Sequence, residues 1–196
     1  MMERINGYED AKAYTDAEKL PAGGYVVKIL DVNELVYDWG KVLAISFDIT
    51  EGEYTDFYKN NYKMQQQEDK KWKGVYRLNI PKGDGSEKDG WTMRTFKTAT
   101  EAVEDSNAGY HWDWNEKGLK GKTVGALFRN KEYEYEGNTG FFTECCGFRP
   151  VEVIRENKFK TPKDKLLKNK TSTASSVFEV DEFEPVDSDD DLPFLR

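Results

Sequence analysis

A mostly β domain of five strands, with one helix between the third and fourth, followed by an acidic tail, is the fold class this sequence predicts. Two observations carry the domain. Segments rich in Val, Ile, Tyr and Phe alternate with Gly-rich breaks through residues 21–155, as strands separated by turns do. One segment among them changes to a helical period. The tail rests on charge: of a formal net charge of −8, residues 171–196 carry eight acids and one base, leaving 29 acids and 28 bases in residues 1–170. The body is therefore close to neutral and has room for a local basic surface.

The elements follow in chain order. Pro21-Ala22-Gly23-Gly24 is a breaker cluster, after which Tyr25 to Val32 reads as a strand. Asp38-Trp39-Gly40 is a turn. In Lys41 to Tyr54, Leu43, Ile45, Phe47 and Ile49 alternate with Ala44, Ser46, Asp48 and Thr50, the period of a strand with one face packed. The two strands predict a hairpin. Thr55 to Lys71 is polar and aromatic and fits neither period. Trp72 to Ile80 is a third strand, with Tyr76, Leu78 and Ile80 on one face. Pro81 to Gly90 is a charged loop. From Trp91 to Asn107 the residues Met93, Phe96, Thr100 and Val103 fall at helical spacing, and Asn107-Ala108-Gly109 is a stop. After a Trp-rich connector, Tyr110 to Gly118, Leu119 to Tyr135 is a fourth strand broken by Gly121 and Gly125. Phe141 to Ile154 is a fifth, bent near Gly147.

Three strands, a helix and two strands is the order of the OB-fold, a five-stranded barrel. The expected organisation is a polar N-terminal segment (1–20), the barrel (21–155), a basic then Ser/Thr-rich linker (156–176) and an acidic protein-interaction tail (177–196). The tail's apolar residues are too sparse to offset ordering entropy, so disorder is expected there.

Several function classes find no support. Cys145 and Cys146 are adjacent, which suits neither a metal site nor a CxxC redox pair. His111 has no partner at ligand or triad spacing. Gly83-Asp84-Gly85-Ser86 lacks the Gly-Lys-Ser/Thr ending of a phosphate loop. No catalytic site, metal or cofactor is expected. No run reaches the roughly 18 apolar residues of a membrane span, and reduced thiols suit a cytoplasmic setting.

Aromatic residues are 14% of the chain while hydrophobic residues are only 37%, so many rings must be partly exposed. Rings among Lys and Arg are what a stacking surface for unpaired bases needs. OB-folds bind strands across the second and third β-strands and the flanking loops. On that mapping the first loop offers Tyr37, Trp39 and Lys41. The third strand offers Lys71, Trp72, Lys73 and Arg77, and the fourth with its loop offers Arg129, Lys131, Tyr133 and Tyr135. Trp39, at a turn tip where a large ring has few structural uses, is the leading candidate. Trp72 reads equally as a cap on the barrel, Tyr76 reads as core, and Trp112 and Trp114 read as a plug beside the helix. Asp38, Glu132, Glu134 and Glu136 lie near these loops and count against tight binding.

The last acidic stretch, Asp189-Asp190-Asp191-Leu192-Pro193-Phe194, resembles the C-terminal tip of bacterial single-stranded DNA-binding proteins. There the acids are drawn to a basic patch on a partner and the Phe fills an apolar pocket. In that family the Phe is usually terminal, whereas here Leu195 and Arg196 follow. Leu20-Pro21-Ala22-Gly23-Gly24-Tyr25, Trp112-Asp113-Trp114 and Leu119-Lys120-Gly121-Lys122-Thr123-Val124-Gly125 resemble a phage family of single-stranded DNA-binding-like proteins over roughly residues 19–155. The resemblance implies a non-enzymatic OB-fold that coats single-stranded DNA during phage replication or recombination in the bacterial host cytoplasm. It also implies replication or recombination partners recruited through the tail. A homo-oligomer is compatible with it, though no oligomer signature is legible. The alternative is an OB-fold adaptor of the same machinery with little DNA binding of its own.

Overall fold

The computed structural model describes residues 19–167. Most of the expected N-terminal segment, the later part of the linker and the whole acidic tail with its Asp189–Phe194 tip lie outside the described residues.

The described chain is mostly β, with a five-stranded antiparallel sheet and three α-helices. In order these are β1 (Gly23–Tyr37), β2 (Gly40–Ile49), α1 (Phe57–Met64), β3 (Val75–Ile80), α2 (Glu87–Ser106), β4 (Thr123–Tyr135), β5 (Asn138–Arg149) and α3 (Val151–Arg155). A 3-10 turn at Glu116–Leu119 precedes β4. The strands lie in the order β3-β2-β1-β4-β5. The predicted hairpin is there, with Tyr37 opposite Gly40 and Val32 opposite Ile45. β1 is long enough to serve two partners. Gly23–Lys28 pair with β4, and Val27–Tyr37 pair with β2 across a bulge between Ile29 and Asp31.

The alternation read in β2 sets the inner face. Phe47, Ile45 and Ile49 are buried beside Val27, Ile29 and Val32 of β1, Tyr76 and Leu78 of β3, and Val124, Ala126 and Phe128 of β4. α2 lays Phe96, Ala99, Ala102 and Val103 onto this face. Such side chains each contribute about 1.5–3 kcal/mol when taken from water.

A closed five-stranded barrel is not what the ladders form. Among the described residues no ladder joins β3 to β5, the two edges of the sheet. A ladder needs backbones about 4.8 Å apart, and here the edges meet through side chains. The Tyr76 and Phe148 rings stand between them with centroids 4.8 Å apart. The single helix expected is also joined by two more. α1 forms within the segment whose period was ambiguous, and Pro150 ends β5 before Ile154, because it has no N–H for the ladder. α2 begins before Trp91 because Ser86 caps it: its hydroxyl accepts the Asp89 N–H at 3.1 Å. Asp89 in turn accepts the backbone N–H groups of Lys82 and Gly83.

Two glycines let the outer face be covered over β1 and β4. A Cβ at Gly24 would stand 2.6 Å from the Phe159 ring, and one at Gly125 would collide with Ile154. α3 and the chain after it therefore lie directly on the strands. Residues 163–167, within the expected linker, run beside β4: Lys165 exchanges backbone hydrogen bonds with Asn130 and Glu132, both at 2.8 Å.

α1 is held from a distance. Its N-cap position, Asp56, makes no side-chain cap. Instead Asp48 of β2, buried, accepts the backbone N–H groups of Ile49 and Tyr58 on Oδ1 and of Lys59 on Oδ2, at 2.9–3.1 Å. This satisfies donors that a helix start leaves orphaned. Burial raises the Asp48 carboxyl above its usual value, partly offset by those three N–H groups. Asp48→Ala is expected to cost about 2–4 kcal/mol in urea unfolding, since two buried donors and a partly buried one lose their acceptor. A folded value above the unfolded one means this group's contribution is fullest at low pH and fades as pH rises through the folded value. Asp48→Asn should flatten that slope.

Candidate nucleic-acid interface

The outer face over β2 and β3 is a different surface from the one α3 covers. Cross-strand rows place Asn33, Ala44 and Arg77 side by side, and Asp31, Ser46 and Val75 in the next row. Asn33 and Arg77 are exposed, and Ala44 and Ser46 are half-buried. Ala44 and Ser46 thus form a short floor of small side chains along the middle of β2, bounded by Val42 and Asp48, which share its side and are buried.

At one end of this floor is the β1–β2 hairpin tip. Tyr37 and Trp39 are stacked there with centroids 5.1 Å apart and planes 5° from parallel. Trp39 is 46% exposed, so one face of the pair is available to a third ring. A parallel aromatic pair held in water at a turn contributes little to a core, and it resembles a base-stacking platform in its geometry. Lys41 is tied to Glu34 at 2.9 Å. Both groups are largely exposed, so this pair is easily exchanged for a phosphate.

The third-strand candidates divide. Trp72 is half-buried, and its indole N–H donates to the carbonyls of Phe47 and Gly74 at 3.2 and 3.1 Å. It caps the core's end more than it offers a free ring. Lys71 lies 3.9 Å from Asp69. Partial burial, with Lys71 nearby, lowers the Lys73 ammonium below its usual value. Arg77 is exposed on the outer face of β3.

The fourth-strand candidates share one face, but their charge is largely spent. Arg129 donates Nε and Nη2 to Glu144 Oε1 at 2.9 Å, and Lys131 Nζ lies 3.5 Å from Oε2 of the same carboxylate. All three side chains are mostly buried. Tyr133 and Phe142 face one another at 6.1 Å, and Tyr135 lies opposite Asn138 at the hairpin end. The structure thus places Tyr37 and Trp39 at the hairpin tip and Arg77 on the outer face of β3, puts Lys41 on the opposite face of β2 with Leu43 and Ile45, and gathers Arg129, Lys131 and Tyr133 into a separate cluster around Glu144.

Of the two tryptophans read as a plug, Trp112 packs half-buried on Phe96 at 5.9 Å, whereas Trp114 is 69% exposed. Tyr76 is core, as read. The sequence reading missed α1. Its exposed Lys59 and Lys63 and the exposed Tyr62 were legible as a Lys-rich, aromatic stretch, but the stretch had no visible cap.

Among the described residues, no group of three or more His, Cys, Asp or Glu residues could hold a metal, and no helix is long and apolar enough to cross a membrane. No protein-family model matches the chain, and no curated protein matches it.

The contrast between the two tryptophans is measurable. Trp72→Ala should lower unfolding stability by about 2 kcal/mol or more, through lost packing and the loss of the indole N–H shared by two carbonyls. Trp39→Ala should stay within about 0.5 kcal/mol of the parent. Equal losses in urea denaturation would remove the distinction between a brace and a presented ring.

Proposed function

We propose that this protein binds single-stranded DNA without sequence preference on the outer face of β2 and β3, and is not an enzyme. The observation that carries the reading is the exposed, parallel Tyr37–Trp39 pair at the end of a floor of small side chains. The strand order, the helix between β3 and β4 and the approach of the two sheet edges suit an OB-fold barrel, whose binding surface is this same face. Bases stacking on such rings gain about 1–3 kcal/mol each, and Lys and Arg follow the phosphates. The acidic terminus with Asp189-Asp190-Asp191-Leu192-Pro193-Phe194 would recruit replication or recombination proteins, in the cytoplasm of a bacterial host that a phage-type binder serves.

One observation favours a second reading, an adaptor of the same machinery with little DNA affinity. Arg129 and Lys131 share the Glu144 carboxylate, which engages two of the cations a strand would contact. Titration with oligo-dT at low salt separates the two. The binder reading expects quenching of Trp fluorescence, strong weakening with added salt, and about tenfold lower affinity for Trp39→Ala, the loss of one stacked base. Absence of quenching and of a gel shift at high protein concentration would leave the adaptor.

A further inference from the structure

Residues 57–73 stand at the opposite end of the β2–β3 floor from the hairpin tip. The Phe47 N–H donates to the Gly74 carbonyl at 2.8 Å, and Val75 is paired with Ser46. Ser46 is six positions along β2 from Gly40 at the tip, roughly 20 Å at strand spacing. This stretch holds five lysines (59, 63, 70, 71 and 73) against two acids, Glu68 and Asp69. That makes it the complement of a polyanion, in contrast to the Glu144 cluster.

Its build is specific. α1 turns Tyr58 inward onto Phe47, and Tyr62, one turn later on the same face, leans on Trp72 at the edge of the core with part of its ring exposed. Tyr62 is 37% exposed, its ring lies 5.9 Å from that of Trp72, and Lys70 Nζ sits 6.0 Å from its centroid. The return loop is pinned to the helix end by Gln65. Its side chain donates to the Lys71 carbonyl and accepts the Lys71 N–H, both at 2.8 Å. Trp72 is pinned in turn to Phe47 and Gly74. Lys70 Nζ also donates to the Lys63 carbonyl at 3.4 Å, and the exposed part of the Tyr62 ring and the Lys59 and Lys63 side chains face solvent. Lys59 is only loosely held by Asp56 at 3.4 Å, between largely exposed groups.

We infer that residues 57–73 form a second single-strand-binding element, a braced arm in which Tyr62 stacks a base and Lys59, Lys63 and Lys70 contact phosphates. It holds a strand that has already crossed the floor from the Trp39 tip. The inference rests on the binding reading above and deepens it. Because the loop is held in place beforehand, little ordering cost attends engagement. A strand long enough to reach both ends gains from both, whereas a very short one gains from one.

The test measures fluorescence anisotropy of labelled oligo-dT of about 4 and about 16 nucleotides, the span of single-strand sites, over a salt series. The proteins are full-length wild type, Tyr62→Ala, Lys63→Glu with Lys70→Glu, and Trp39→Ala as the tip comparison, each checked for an unchanged melting curve. The charge-reversal sites are exposed, so that variant keeps the test valid if Tyr62→Ala loosens α1. The expected result on the long oligomer is about tenfold weaker binding for the arm variants. The log–log salt slope should also be shallower by about 1.4 for the charge reversal, because two phosphates are no longer neutralised. Wild-type affinity and slope for both arm variants, with Trp39→Ala impaired, would overturn the arm while leaving the floor. No binding by wild type at either length would overturn the underlying reading as well.

Discussion

β1 divides the sheet into two unlike halves, and most of the molecule follows from that division. Its first residues pair with β4 and its last with β2, with the bulge after Ile29 between the two runs. On the β4 side, glycines at 24 and 125 admit Ile154 and Phe159, so the outer surface is sealed by the chain that follows the sheet. On the β2 side Gly74 admits the Tyr58 ring of α1 at one end, while Asn33 and Arg77 remain exposed. One long strand thus produces a protected half and a presented half from a single inner core.

The presented half is bracketed by aromatic residues of two kinds. Tyr37 and Trp39 stack on each other at a turn and contribute little to packing. Trp72 is fixed by two hydrogen bonds to the sheet and supports Tyr62 from below. The difference decides which ring can change partner. A half-buried indole has both its ring and its N–H committed and would have to break those interactions to move, while an exposed pair gives up little. Charge is likewise uneven: Arg129 and Lys131 of β4 share Glu144 and are mostly buried, while α1 and the loop after it carry exposed lysines.

Much of the fold was legible in the sequence, and what was missed has a common cause. The period of two in β2 and the helical spacing of Phe96, Thr100 and Val103 are local signals, and both elements formed. The early start of α2 was also locally written, in Ser86 and Asp89, but sat in a stretch that glycines made look like loop. α1 was not locally written, since its cap is Asp48, on a preceding strand. The fate of Arg129 and Lys131 depended on β4–β5 register, which places Glu144 opposite Arg129. Basic residues on one face read as a phosphate track until the facing strand is known. The open edge between β3 and β5 was hidden for the same reason, because Tyr76 and Phe148 belong to strands far apart in sequence.

The most direct test is to map where an unpaired strand lies, by following backbone amide and indole NMR shifts as a short oligo-dT is added. The predicted pattern has the Trp39 indole and the amides of Asn33, Ala44, Ser46 and Arg77 moving together, with α2 and α3 quiet. Shifts concentrated on α2 or around α3, or no shifts at saturating oligomer, would contradict a strand-binding floor on β2 and β3.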